Sequence, residues 1–393
     1  MALCSRRAFL ARSIEGASLI GLAPWASRAI AAADDPADAN ALAARAIAFL
    51  RPRQGSDGSW SGSREPGITA LVVTAMLRTG QIAPEDPVIT RGLTFLEKYI
   101  GPKGGLSEAP HSVYTTSVAL MAFHEANRGG RYDRIIKGSQ EFLKGTQTDE
   151  GEGKPRTDKA YGGLGYGGDN SRPDLSNTAF FVEALRESGL PADDVALRKA
   201  LIFVSRCQNL KSEFNDLPQA GKVNDGGFVY NPGAGSEGGG GDGGRGGAQG
   251  KAGSGKANPK APDDGLRSYA GMTYAGLKSM IYAGLSQDDI RVKAAIDYIK
   301  KHYTLEENPG QGQRGLYYYY QTFAKAMALL GKPTLVDSGG KDHDWRSELI
   351  AALAKRQAPN GSWVNPTDRF MEGDPHIATS FALLALASAR AKG

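Results

Sequence analysis

The chain has 393 residues, a formal net charge of +5, 40% apolar residues and 2 cysteines. Its Lys and Arg are scattered rather than massed, which excludes the basic footprint of a nucleic-acid binder. With Cys4 at the extreme N-terminus and Cys207 far from it, a disulfide framework and a Cys-rich zinc site are excluded too.

Ser5-Arg6-Arg7-Ala8-Phe9-Leu10 resembles a twin-arginine export motif. A short apolar stretch (Ala17–Ala26) and an Ala-x-Ala option at Ala29-Ile30-Ala31 follow it. Residues 1–33 are therefore expected to be a signal that directs the rest to the periplasm or outside the cell. That segment carries +3 of the +5, leaving a nearly neutral chain from residue 34 onward. No stretch is long and apolar enough for a transmembrane helix of about 20 residues, although peripheral membrane contact is compatible with the sequence.

From residue 34 to 393 one unit recurs: an amphipathic helix, a Gly-rich turn, then a helix apolar nearly all round. The first helices carry a basic residue, a small one and an aromatic–aliphatic pair, as in Arg45-Ala46…Phe49-Leu50 and Arg91-Gly92…Phe95-Leu96. The pattern returns at Lys137-Gly138…Phe142-Leu143, Lys199-Ala200…Phe203-Val204 and Lys293-Ala294…Tyr298-Ile299, and most worn near Trp345–Ala354. Their apolar residues fall on one stripe, which predicts outer helices. The second helices, predicted over Ile68–Leu77, Thr115–His124, Asn177–Arg186, Met272–Tyr282, Tyr319–Leu329 and Ile377–Ala387, lack a polar face and should lie inside. Thr69, Thr116, Thr178, Thr273, Tyr320 and Thr379 are equivalent positions within them.

Between each pair lies a glycine followed by a large apolar residue: Gly58 with Trp60, Gly105-Leu106, Gly163-Leu164, Gly227-Phe228, Gly315-Leu316 and Gly361 with Trp363. Gln54, Gln147, Gln208 and Gln357 precede four of these turns, where an amide can satisfy free backbone groups at a neighbouring helix end. Six pairs that cannot bury their inner faces alone are best satisfied by closing on themselves. The predicted fold is all-α, an α/α toroid of six inner and six outer helices around an axial cavity or cleft. Residues 232–262 are low-complexity and Gly-rich, and read as a disordered loop insertion at a rim.

Tyr114, Tyr166, Tyr269, Tyr274 and Tyr319, with Trp60 and Trp363, fall at turns or at the starts of inner helices, where their rings could line a cavity mouth or pack the rim. Asp174 and Asp225 are the candidate acids, and an N-cap or turn role competes with catalysis at both. His376 with Asp374, and Asp342-His343-Asp344, precede helices and suit capping better than metal binding. No metal or cofactor is expected.

The run Arg45-Ala46-x2-Phe49-Leu50-x3-Gln54-x3-Gly58-x-Trp60 resembles the Gln-Trp repeat of squalene–hopene and oxidosqualene cyclases, and Gln357…Gly361-Ser362-Trp363 matches its second half. The outline is also similar to the β subunits of protein prenyltransferases. The resemblance runs from Arg45 to Ala387 and implies an α/α toroid with an apolar, isoprenoid-like ligand. It also implies an acidic DxDD motif before an inner-helix Thr-Ala, but the matching stretch is Asp174-Leu175-Ser176-Asn177-Thr178-Ala179, with Ser176 at the proton donor's place. The prenyltransferase zinc ligands have no match in Ser268–Thr273. Two readings follow. One is an exported toroid holding an isoprenoid or other apolar ligand in its axis, with residual terpene-cyclase- or prenyltransferase-like chemistry if it is an enzyme; the other is a non-catalytic scaffold or a carbohydrate- or peptide-facing binder using its rim.

Overall fold

The computed structural model describes residues 38–62, 64–167, 172–233 and 265–390. The expected signal and most of the 232–262 insertion lie outside the described residues. In chain order the described helices are α1 (Ala39–Leu50), α2 (Pro66–Arg78), α3 (Pro87–Glu97), α4 (Ser112–Glu125), α5 (Asp133–Lys144), α6 (Leu175–Glu187) and α7 (Val195–Arg206). A single turn, α8 (Ala220–Val223), precedes α9 (Ala270–Tyr282), α10 (Ile290–Lys301) and α11 (Leu316–Leu330). A two-stranded hairpin, β1 (Leu335–Val336) against β2 (Asp342–His343), leads to α12 (Trp345–Arg356) and α13 (Pro375–Arg390).

Asp38, Asp86, Asp194 and Asp289 begin the outer helices α1, α3, α7 and α10, each carboxylate accepting from the backbone N–H two residues on. Outer helices then bury one stripe; α5 buries Ile136, Ser139, Phe142 and Leu143 and wets the rest. The inner helices have no wet stripe. Every residue of α2 from Pro66 to Leu77 is buried.

The inner helices form a closed circuit, α2–α4–α6–α9–α11–α13 and back to α2. Outer helices cover it: α3 lies on α2, α5 on α4, α7 between α6 and α9, α10 on α9, and α12 between α11 and α13. The first outer helix, α1, packs on the last inner one, α13, so the first and last described helices meet. Six inner and six outer helices thus make the predicted toroid.

The turns explain why the repeat keeps its residues. Gln54 Nε2 donates to its own turn at Gly58 O (3.0 Å) and to Val88 O in the next outer helix (2.8 Å). Gln147 does the same with Gly162 and Ala196, and Gln208 with Gly226 and Arg291. The amides therefore tie each unit to the next. The threonines at the equivalent position are buried acceptors for the N–H of the large turn residue: Thr69 for Trp60, Thr116 for Leu106, Thr178 for Leu164, Thr273 for Phe228 and Thr379 for Trp363. The fifth unit departs, and Tyr320 instead donates its hydroxyl to Leu305 O. Among the described residues no helix is long and apolar enough to cross a membrane.

Candidate functional site

The N-terminal ends of the inner helices surround a cavity of about 220 Å³ on the toroid axis. Every inner helix or the loop leading to it supplies wall residues. Ile68, Tyr114, Phe180, Met272, Tyr318, Ile377 and Phe381 form the apolar depth, and Glu65, His111, Tyr166, Tyr230, Tyr269 and the segment Arg369–Met371 stand around them. Four rings from four helices run edge-to-face across the axis. Tyr114 meets Phe180 at 5.4 Å, Phe180 meets Tyr318 at 6.3 Å, and Tyr318 meets Phe381 at 5.7 Å between centroids.

The mouth is held by unusual backbone. His111, the N-cap of α4, has a left-handed φ of 51° and gives no side-chain cap, so its ring is free to stack edge-on against Tyr166 at 5.3 Å. The loop from Asn365 to Glu372 is closed at its neck by the Asn365 N–H donating to Glu372 O. Glu372 is fully buried, accepts from the Tyr318 N–H (2.8 Å) and from Asn365 Nδ2 (2.7 Å), and so caps α11 from a distant loop. Burial raises its pKa. This anchor places Arg369, Phe370 and Met371 on the cavity wall.

Asp174 is the N-cap of α6. Oδ1 accepts from Asn177 N–H at 2.8 Å and Oδ2 from Asn177 Nδ2 at 2.7 Å. Burial pushes its pKa up to about 6, against the pull of the Asn177 donors and of a hydrogen bond from Tyr230. The carboxyl is not itself on the cavity wall and reaches it through Tyr230. Burial, and then the nearby Asp174 charge, raise the pKa of Tyr166 to about 12 and also raise that of Tyr230, so both phenols remain neutral donors. Two residues on, the wall position is Ser176, whose hydroxyl bonds Tyr318.

Beneath the aromatic rings the axis is filled by ions. Glu183 and Lys278 are fully buried and pair at 2.5 Å; Arg78 binds Glu183 at 3.0 Å and also meets Glu187, while Lys325 reaches Glu187 at 2.5 Å. Arg78 on α2 and Lys325 on α11 each cross the axis to reach α6. Burial alone would raise the Glu183 pKa, but Lys278, Lys325 and Arg78 together hold it low. The cavity is therefore blind at this end.

Of the predicted site residues, Tyr114, Tyr166 and Tyr269 line the cavity. The others do not. Trp60 and Trp363 are fully buried in their turns, their indole N–H groups donating to Leu50 O and Leu353 O at 2.9 Å, because those carbonyls end α1 and α12. Tyr274 and Tyr319 pack with each other and Phe323, and the Tyr319 hydroxyl donates to Thr304 O. Asp225 accepts from the Gly227 N–H and the Ser268 hydroxyl and shapes a rim turn. Asp374 accepts from the His376 N–H (2.7 Å) and Asp344 from the Ser347 N–H, both as helix starts. Among the described residues no cluster of three metal-liganding side chains occurs. Phe180, Phe381 and Tyr230 were not singled out by sequence. Phe180 and Phe381 sit one turn beyond Ser176 and Ile377 on their helices, and that spacing was the available signal.

No family model matches the chain. The squalene–hopene cyclase of Alicyclobacillus acidocaldarius is 31% identical over 153 residues, 37% of this chain, and the match spans 24% of that relative's length. A variant of the type II terpene cyclase MstE from Scytonema, solved with merosterolic acid A, has a TM-score of 0.53 at 14% identity, covering 89% of this chain and 96% of its own. Another MstE variant, solved with geranylgeranyl dihydroxybenzoate, has a TM-score of 0.53 at 13% identity, covering 89% and 97%. A protein from Actinoplanes has a TM-score of 0.50 at 16% identity over 90% of this chain and all of its own. The fold is that of the terpene-cyclase toroids.

Proposed function

We propose that this terpene-cyclase-like toroid binds an apolar, isoprenoid-like molecule in its axial cavity, and does so after export through its twin-arginine-type N-terminus. The observation that carries the reading is the cavity wall: aromatic and aliphatic side chains from the inner helices converge on one blind, apolar space with a polar mouth. The relatives add support, since a solved neighbour holds a geranylgeranyl-bearing substrate and the partial relative is named for squalene.

Proton-initiated cyclisation is not part of the reading. Protonating an alkene needs an acid aimed at the substrate. Here the wall position is Ser176, and both Asp174 oxygens are engaged by Asn177. A polysaccharide is a poorer fit to this wall, because Ile68, Phe180, Met272, Ile377 and Phe381 offer it no hydrogen-bonding side chain.

Native mass spectrometry of the chain incubated with a mixture of prenyl alcohols and polyprenyl lipids tests the proposal. The expected result is one retained isoprenoid per chain and no altered product in the released fraction. Retention of none, or release of a cyclised product, contradicts it. Fractionation of the producing cells tests export, and a chain found only in the cytoplasm contradicts that part.

A further inference from the structure

Resting on that reading, we infer that the site takes a short chain of about ten carbons, with Phe180 and Phe381 as the residues that set its length. Three observations lead there. The first is volume. An apolar cavity of about 150 Å³ holds one benzene, so about 220 Å³ holds roughly nine carbons. A triterpene chain is roughly three times too long on the same scale.

The second is the floor. Phe180 and Phe381 are 3% and 6% exposed and are joined through Tyr318 in the edge-to-face series that crosses the axis. Three residues beyond Phe180 on the same helix face comes Glu183, and seven beyond Tyr318 comes Lys325. The Phe180 ring therefore lies beside the ion pairs, with the Lys278 ammonium 5.6 Å from its centroid, and Phe381 continues the same aromatic layer through Tyr318.

The third is the rigidity of what lies below. Glu183 and Lys278 are fully buried, and Arg78 from α2 and Lys325 from α11, neither a neighbour of α6 in the ring, both reach it. An apolar chain pushing deeper would have to separate buried charges whose attraction to one another is what compensates their desolvation. A dispersive wall can yield to a longer ligand; this floor cannot. Chain length beyond the floor is left at the mouth among Glu65, His111 and Arg369, where an alcohol or other polar head finds hydrogen-bonding partners.

The test is a series of straight-chain primary alcohols from six to fourteen carbons, titrated calorimetrically into the full chain. Affinity is expected to rise about fourfold for each buried methylene and to stop rising near about ten carbons. In Phe180→Ala the break should move to longer chains by several carbons. Phe180→Leu and Phe381→Leu, which retain bulk and protect the fold, should move it by about one or two. Affinity that climbs unbroken to fourteen carbons in the unaltered chain overturns the inference while leaving an apolar site standing. A break that stays in place in the folded Phe180 and Phe381 variants overturns the assignment of the floor. Absence of binding at every length overturns the underlying reading itself.

Discussion

The side-chain amide of Gln357 donates to the backbone carbonyl of Leu42 at 3.0 Å, joining residues 315 positions apart. The same amide donates to Gly361 O, and its oxygen accepts from the Arg45 guanidinium at 2.8 Å. Gln54 makes the same set with Gly58, Val88 and Arg91 inside the chain. The seam where the ring closes is thus built like an internal joint. Replacing Gln357 by Leu removes both donors and leaves two carbonyls short of partners, and should lower stability by about 2 kcal/mol. Gln147→Leu, at a fully buried joint, should lower it by at least as much. Urea unfolding measures both; a Gln357 variant as stable as the parent would mean that the seam is not a joint of the ring.

Gly361 makes the seam possible in a second way. Its φ is +89°, and a Cβ there would stand 2.4 Å from the Arg45 carbonyl oxygen. Gly340, with φ +85°, has nothing within 4 Å of the same position. Gly340→Ala should cost about 1 kcal/mol for the left-handed backbone alone, and Gly361→Ala clearly more because α1 must also move. Equal losses in thermal unfolding would show that the close approach is not what fixes this glycine.

These joints also account for how much of the molecule was legible from sequence. Gln54, Gly58, Trp60 and Thr69 act within one turn and its neighbour, so each leaves a local, repeating mark. The cavity leaves none of that kind. Phe180 and Tyr274 look alike in sequence, both aromatic on an apolar inner helix, yet one ring faces the axis and the other packs against Tyr319 and Phe323. That distinction depends on the rotation of each inner helix, which a helix apolar on all sides does not encode. Trp60 and Trp363 misled for a related reason. Their rings mark the turn, and the turn faces the outer helices rather than the axis. The axial ions were hidden because Arg78, Glu183, Lys278 and Lys325 come from four separate units and meet only once the ring is closed.

The ion pairs make a prediction of their own. Glu183→Gln leaves the buried Lys278 without its carboxylate partner and Arg78 with Glu187 and Glu125 alone, and should destabilise the chain by about 3–5 kcal/mol. Glu183→Leu combined with Lys278→Met removes both charges at similar volume, and should recover most of that loss. A double variant as unstable as the single one would count against the pair as the source of the effect.

Asp174 should leave a mark on the pH dependence. Its folded pKa of about 6 lies above the unfolded value of about 3.9, so the folded chain binds the proton more tightly. Its contribution to stability is then fully present below about pH 4 and is lost as the pH rises through about 6. Compared with Asp174→Asn, the parent chain should lose roughly 2–3 kcal/mol between pH 4 and pH 8. Unfolding curves for both across that range measure the difference. A stability gap that is flat, or that widens in favour of the parent as pH rises, would place the carboxyl in a different environment.

The most direct measurement is calorimetric titration of geraniol into the full chain at two temperatures, repeated with Phe381→Asp. Burial of an apolar chain in the axial cavity requires one site per chain and a negative heat-capacity change, both lost when a carboxylate enters the floor. Loss of both in the variant is the expected result. Binding that persists unchanged in a folded Phe381→Asp protein, or no binding to the parent chain, would contradict it.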